Sequence, residues 1–224
     1  MNRRMFLASA AAAVKLRGDT KLLLPSDQAD ELNFRLMWYN PVAPIDAASY
    51  QLRIKGLVEK TLELSIADLR RLPRESQNSR LRCVQGWSAR TDWGGFRFGH
   101  LLETAKPRKN AKVVRLECAD KWYEYFSIDD LLKPRVLFAM DMHGQPLADR
   151  HGAPLRVIDP ARYGYKSAKL VTSIEFLESG KGSMACDIAS YYSPTGEIQA
   201  GYDLPLDLGG KTKRKIHGGE ITEY

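Results

Sequence analysis

The sequence predicts an α+β fold, one mixed and mainly antiparallel-sheet domain carrying short helices. Three observations predict it. Apolar residues at period two recur in short runs along the chain, and the helix-like stretches are few, brief and closed by proline. Strands also fail to alternate with the long crossover segments that a doubly wound parallel sheet requires. Tyr50, Leu52, Ile54 and Leu57 set the strand pattern, and Gly56 with Glu59-Lys60 turns the chain into a second strand at 61–64. Ser65-Ile66-Ala67-Asp68 reads as a capping box opening a helix that Pro73 ends. Ser127 to Asp130 repeats the device ahead of Pro134. Further strands are expected at 81–85, 113–118, 122–126, 136–142, 155–158 and 170–176, with a helix at 98–104. Residues 19–49 carry Pro25, Pro41 and Pro44 with little periodicity and read as an extended arm.

The chain has 224 residues, 44% of them hydrophobic and 27% charged, which argues against disorder. Its 34 Lys and Arg against 27 Asp and Glu give a formal charge of +7. Such a balance suits an anionic ligand. No basic stripe interleaved with aromatics appears, so nucleic acid is not the expected partner. The basic run Lys211 to Lys215 reads as a solvated tail. Cys83, Cys118 and Cys186 form no C-x-x-C pair, which excludes a disulfide framework and a structural zinc site. His100, His143, His151 and His217 lack the spacing of a zinc protease. Asn2-Arg3-Arg4-Met5-Phe6-Leu7 resembles a twin-arginine export signal and leads into an alanine-rich stretch too short to span a bilayer. The expected organisation is a signal segment at 1–18 and a single domain at 19–224.

Two stretches carry chemistry. Cys83 lies in Arg82-Cys83-Val84-Gln85-Gly86-Trp87-Ser88, with Trp93-Gly94-Gly95 behind it. A thiolate is the competent metal ligand, and cationic neighbours favour it. Alone, the cysteine reads as a buried core position rather than a ligand. The second stretch is His151-Gly152-Ala153-Pro154-Leu155-Arg156, continuing through Arg162-Tyr163-Gly164-Tyr165-Lys166-Ser167-Ala168-Lys169. Its four cations, punctuated by Gly and Pro, suit a phosphate-binding concavity or an ordinary loop with solvated charges. Gly180-Lys181-Gly182-Ser183-Met184-Ala185 matches a dinucleotide fingerprint. Ser193-Pro194 interrupts the chain before the long helix that such a site needs.

Taken in order, the two stretches resemble the molybdenum-ligand loop and the pyranopterin-binding run of the sulfite oxidase family of molybdopterin-dependent oxidoreductases. Within it, the likeness is closest to the branch of periplasmic methionine-sulfoxide reductases. Asn33-Phe34, Tyr39-Asn40-Pro41 and Met142 to Leu147 resemble further family segments, so the likeness runs from about residue 33 to 205. It implies the molybdopterin-binding fold of that family, with Cys83 as the metal-ligating and catalytic thiolate of a molybdenum-molybdopterin cofactor. Asn33, Tyr39, Asn40, Cys118, His151, Arg156, Ser167, Ala168 and Lys169 would hold the pterin and its phosphate. Cys118 stands where the reductase branch has a threonine, so packing and contact both remain open for it.

Sulfite oxidases carry an arginine in the cysteine loop and a tyrosine where this chain has Met140. Arg90 is the candidate replacement cation near the catalytic centre. The resemblance therefore implies an exported, periplasmic, monomeric oxidoreductase that transfers an oxygen atom from an S-oxide such as methionine sulfoxide. Electrons would come from a separate membrane haem protein. Oxidation of sulfite or a related small oxyanion is the alternative reaction, and a cofactor-free binding module is the alternative of another class.

Overall fold

A computed structural model describes residues 22–24, 26–36, 39–199, 201–203, 209, 210, 212, 214 and 215. The expected signal segment lies outside these residues, as do Lys211 and Lys213 of the basic run. The fold is α+β, with two five-stranded sheets and two small two-stranded ones.

The first large sheet contains β5 (Glu75–Arg82), β6 (Ser88–Phe96), β9 (Leu137–Met142), β10 (Gln145–Pro146) and β11 (Arg156–Ile158). Its strands run in the order β10-β9-β6-β5, and β11 also pairs with β9. All of these pairings are antiparallel. The second contains β3 (Gln51–Gly56), β4 (Leu62–Ser65), β7 (Val113–Cys118), β8 (Tyr123–Ser127) and β12 (Val171–Leu177), in the order β4-β3-β12-β7-β8. Here β12 runs parallel to β3 and antiparallel to β7.

Local rules place the helices. Ser65 Oγ accepts from the Asp68 amide at 3.2 Å and the Asp68 carboxylate accepts from the Ser65 amide at 2.9 Å, so α1 (Ile66–Arg71) opens on the expected capping box. α2 covers Phe98–Ala105, and Ser127 caps α3 (Ile128–Leu131) through the Asp130 amide.

Two expectations are corrected. The strand expected at 81–85 ends at Arg82, and Cys83 to Trp87 forms the hairpin turn into β6. The Cys83 amide donates to Trp87 O at 2.9 Å, and Gly86 supplies the left-handed φ of 82° that the turn needs. β6 itself was not expected. Its inward positions are Ala89, Thr91 and Trp93, too mixed to register as an apolar alternation. The extended arm likewise contains a hairpin, β1 (Ser26–Ala29) against β2 (Arg35–Leu36).

Strand β9 is apolar along nearly its whole length because both of its faces are covered. Phe138 and Met140 belong to the main core, with Leu52, Ile54, Leu116, Ile174 and Phe176 of the second sheet. Leu137 and Ala139 belong to a second core with Phe34 of the arm, Leu81, Ala89 and Trp93. Burial of this order stabilises by about 25 cal/mol per Å² of apolar surface. Arg156 is registered opposite Ala139, which puts its side chain on that second face, towards the arm.

Candidate functional site

The site forms where the hairpin turn at Cys83, the end of β7, the segment from His151 to Arg156 and the segment from Ser167 to Lys169 converge. Arg156 is 4% exposed, and its guanidinium lies 5.0 Å from the centroid of the Trp93 ring. Its Nη1 donates to His151 O at 2.8 Å, while its Nε is buried with no hydrogen-bond partner among the described residues. Burial drives its pKa down to about 9. Lys169 is pushed down to about 7, first by burial and then by Arg156. Asp120, Cys118 and Cys83 oppose that shift, so all of these groups lie within electrostatic reach of the Lys169 ammonium.

His151 is held by Asp30 of the arm, Nε2 to Oδ2 at 3.1 Å. Burial, then Arg156, lowers its pKa to about 4, so the ring is neutral at physiological pH. Phe34 packs edge-on against His151, Trp87 and Trp93, linking the arm to the cysteine hairpin and the Arg156 platform. Gly152 has φ 96°, and a Cβ there would come within 2.8 Å of Lys169 Cβ. The glycine is what lets the two segments close on each other.

The remaining candidates are placed as follows. Asn33 Nδ2 donates to Ser88 O at 3.1 Å, tying the arm to the start of β6. Asn40 Nδ2 donates to Asp120 O at 2.8 Å, and the Tyr39 amide donates to Asp120 Oδ2 at 3.2 Å. The Tyr39 side chain is exposed and packs edge-on to Trp122. Cys118 is buried, and burial followed by Asp120 pushes its thiol well above the ordinary range. Ser167 and Ala168 are buried in the wall, Ser167 Oγ accepting from the Asp159 amide at 3.4 Å. Cys83 is half-buried and packs against Val84, Tyr163 and Ile198.

Arg90 is not brought into this group. It sits exposed on the outer face of β6 opposite Arg80 and donates to Asn78 Oδ1 at 2.8 Å. Met140 is 2% exposed in the main core and accepts from Arg74 through its sulfur at 3.6 Å.

The four cations of the second stretch divide into pairs. Arg162 is paired with Asp130 at 2.8 Å and Asp159 at 3.4 Å. Lys166 is paired with Glu124 at 2.5 Å and donates to Tyr125 O and Pro194 O. These two brace the fold, and Arg156 and Lys169 are the pair at the site. Two participants escaped the sequence reading. Asp30 was signalled by an Asp-turn, because its Oδ1 accepts from the Leu32 and Phe34 amides. Asp120 was signalled by a carboxylate two residues past the end of β7.

These residues fit an anionic, metal-bearing cofactor. Two neighbouring cations, one buried and one half-buried, repel each other until an anion lies between them. The orphaned Arg156 Nε and His151 Nδ1 are buried hydrogen-bonding groups in want of a partner. Among the described residues no three His, Cys, Asp or Glu side chains group as a metal site. A metal at Cys83 would therefore take its other ligands from a cofactor, and a soft thiolate suits such a centre.

The fold and the site together define a domain that holds an anionic cofactor beside a cysteine. Residues 39–184 match the family described as oxidoreductase molybdopterin binding domain, and the chain belongs to that family. It is 34% identical over 145 residues to the protein-methionine-sulfoxide reductase catalytic subunit MsrP of Campylobacter jejuni, covering 57% of this chain and 49% of that protein. It is 31% identical over 186 residues to the MsrP of Xanthomonas campestris, covering 75% and 58% respectively. The chain thus spans about half the length of the curated relatives it matches. The crystal structure of the sulfane dehydrogenase SoxCD from Paracoccus pantotrophus shares the fold, with a TM-score of 0.60 at 22% identity over 80% of this chain and 48% of that one.

Proposed function

We propose that this chain is a molybdenum-molybdopterin oxidoreductase that reduces an S-oxide, such as methionine sulfoxide, to the thioether. The observation that carries the reading is the convergence of a half-buried thiol, Cys83, with two cations, the buried Arg156 and the half-buried Lys169, within electrostatic reach of one another. The names of its MsrP relatives supply the substrate class. When bound, the cofactor would supply oxygen-atom transfer, the S-oxide taking two electrons and two protons to give thioether and water. Cys83 would anchor the metal. Arg156 and Lys169 would hold the cofactor's phosphate, the fixed guanidinium giving directed bonds and the ammonium a point charge. Trp87 and Trp93 would shield the thiolate from water. Export through the twin-arginine pathway to the periplasm and electron supply from a membrane haem protein complete the proposal, resting on Arg3-Arg4 and the family resemblance.

Met140 and Arg90 favour the S-oxide over sulfite, because neither sits at the site as a partner for a dianion. Metal and pterin analysis of protein made in a cofactor-producing host tests the core of the reading. The wild type should hold molybdenum near one per chain, and Cys83→Ser should lose it. No molybdenum in either protein would leave only a binding module. Reduced-dye assays with methionine sulfoxide, set beside ferricyanide assays with sulfite, separate the two reactions. Activity with sulfite alone would overturn the choice of substrate.

A further inference from the structure

We propose that Asp30 is a positioning residue: it fixes the His151 ring as the Nε2–H tautomer, leaving Nδ1 as a hydrogen-bond acceptor for an N–H of the pterin. This deepens the functional reading above and rests on it. Asp30 lies outside residues 39–184, the stretch that matches the family, so the chain's own arm supplies it.

The geometry is closed on one side and open on the other. The Asp30 side chain is 7% exposed and that of His151 is 9% exposed, with Oδ2 and Nε2 3.1 Å apart. The other carboxylate oxygen, Oδ1, accepts from the Leu32 amide at 2.9 Å and the Phe34 amide at 2.8 Å. Those two bonds hold the carboxylate on the loop and leave Oδ2 facing the ring. Arg150 Nη2 approaches the same oxygen at 4.0 Å. A neutral imidazole has one donor and one acceptor, and the group facing one nitrogen biases the state of the other; here an acceptor oxygen stands 3.1 Å from Nε2. A carboxylate only accepts, so its approach favours the proton on Nε2. Nδ1 is then a bare acceptor, and it is buried without a hydrogen-bond partner among the described residues. Arg156 holds the backbone of the same residue through His151 O, so the ring is fixed from two directions. A pterin ring offers several N–H donors, which makes an orphaned acceptor beside Arg156 and Lys169 the complementary group.

Asp30→Asn isolates the effect. The amide oxygen can keep both loop bonds, while the amide nitrogen puts a donor in front of Nε2. The ring must then accept at Nε2 and carry its proton on Nδ1, where it opposes a pterin N–H. In the full-length apoprotein at pH 7, ¹⁵N spectra should show His151 protonated at Nε2 in the wild type and at Nδ1 in the variant. Pterin retained at limiting supply should fall roughly tenfold to a hundredfold, the range for removing the partner behind a ligating histidine. A flipped tautomer with unchanged pterin retention overturns the role, and so does an unflipped tautomer in the folded variant. Should the variant not fold, the wild-type spectrum decides, with Nδ1–H or an imidazolium at pH 7 overturning the proposal and Nε2–H sustaining it. If wild-type protein from a cofactor-producing host held no pterin, the functional reading would fail. The ¹⁵N assignment would still report on the Asp30–His151 pair.

Discussion

Lys166 is the residue whose loss tests the physical account of the fold most directly. Its Nζ lies 2.5 Å from Glu124 Oε2, with side chains 1% and 0% exposed. The same ammonium donates to Tyr125 O at 2.9 Å and Pro194 O at 3.0 Å and sits 4.6 Å from the centroid of the Phe126 ring. Glu124 also accepts from Ser183 Oγ at 2.6 Å and Trp122 Nε1 at 2.9 Å. Even with these partners, burial pushes its carboxyl from 4.5 to about 7. Lys166→Met keeps the volume and removes the counter-ion. Stripping one partner from a buried pair costs about 3–5 kcal/mol. For a domain of this size that is a fall in melting temperature of about 6–20 °C.

The pH dependence gives the sharper test. A carboxyl with a raised folded pKa binds a proton that the unfolded chain releases, so stability falls as pH rises from 4.5 to about 7. Without Lys166 the folded pKa climbs higher and the window extends above 7. The variant's deficit should therefore be modest at pH 6 and grow by up to about 1.4 kcal/mol per pH unit above 7. Urea unfolding of both apoproteins at pH 6 and pH 8.5 reads this, free of cofactor mass action. Equal deficits at the two pH values, or a variant as stable as the wild type at pH 8.5, would refute the reasoning.

Two further outcomes follow from the site. Arg156→Met should leave the apoprotein as stable as the wild type or more so, because a cation whose pKa burial drives to about 9 is gone. Bound pterin should meanwhile fall about tenfold or more, the worth of a charge-assisted hydrogen bond, and parallel losses of stability and pterin would contradict this. Gly152→Ala should cost about 1–3 kcal/mol of backbone strain and lower pterin content, since its Cβ would meet Lys169 Cβ at 2.8 Å and the residue holds φ 96°. A melting temperature equal to that of the wild type would show that the close approach is not tight.

Features set by neighbours in sequence were legible before the structure. The Ser65 capping box, α2 and β7 each depend on a few consecutive residues, and each stands where the pattern placed it. The fold class and the family were legible because the Cys83 and His151 stretches carry specific residues in order. Features set by distant partners were not. β6 turns Ala89, Thr91 and Trp93 inward, a set with no common hydrophobicity, and only its pairing with β5 and β9 makes it a strand. By charge and spacing Arg162 and Lys166 looked equivalent to Arg156 and Lys169, and only the family resemblance told them apart. What separates them is Asp130 and Glu124, carboxylates from remote parts of the chain that claim the first two. Asp30 was hidden for the same reason, its partner His151 being far along the sequence.

The position of β12 has a consequence for how the protein is made. It is the last of its sheet's five strands to be synthesised, yet it lies between β3 and β7. Until Leu177 has left the ribosome, β3 and β7 have no shared neighbour and the edge of each stands open. Lys169 lies just ahead of that strand, so the pocket it helps line comes into being only with the closing of the sheet. Before that strand pairs, the cations that line the pocket have no closed wall to face.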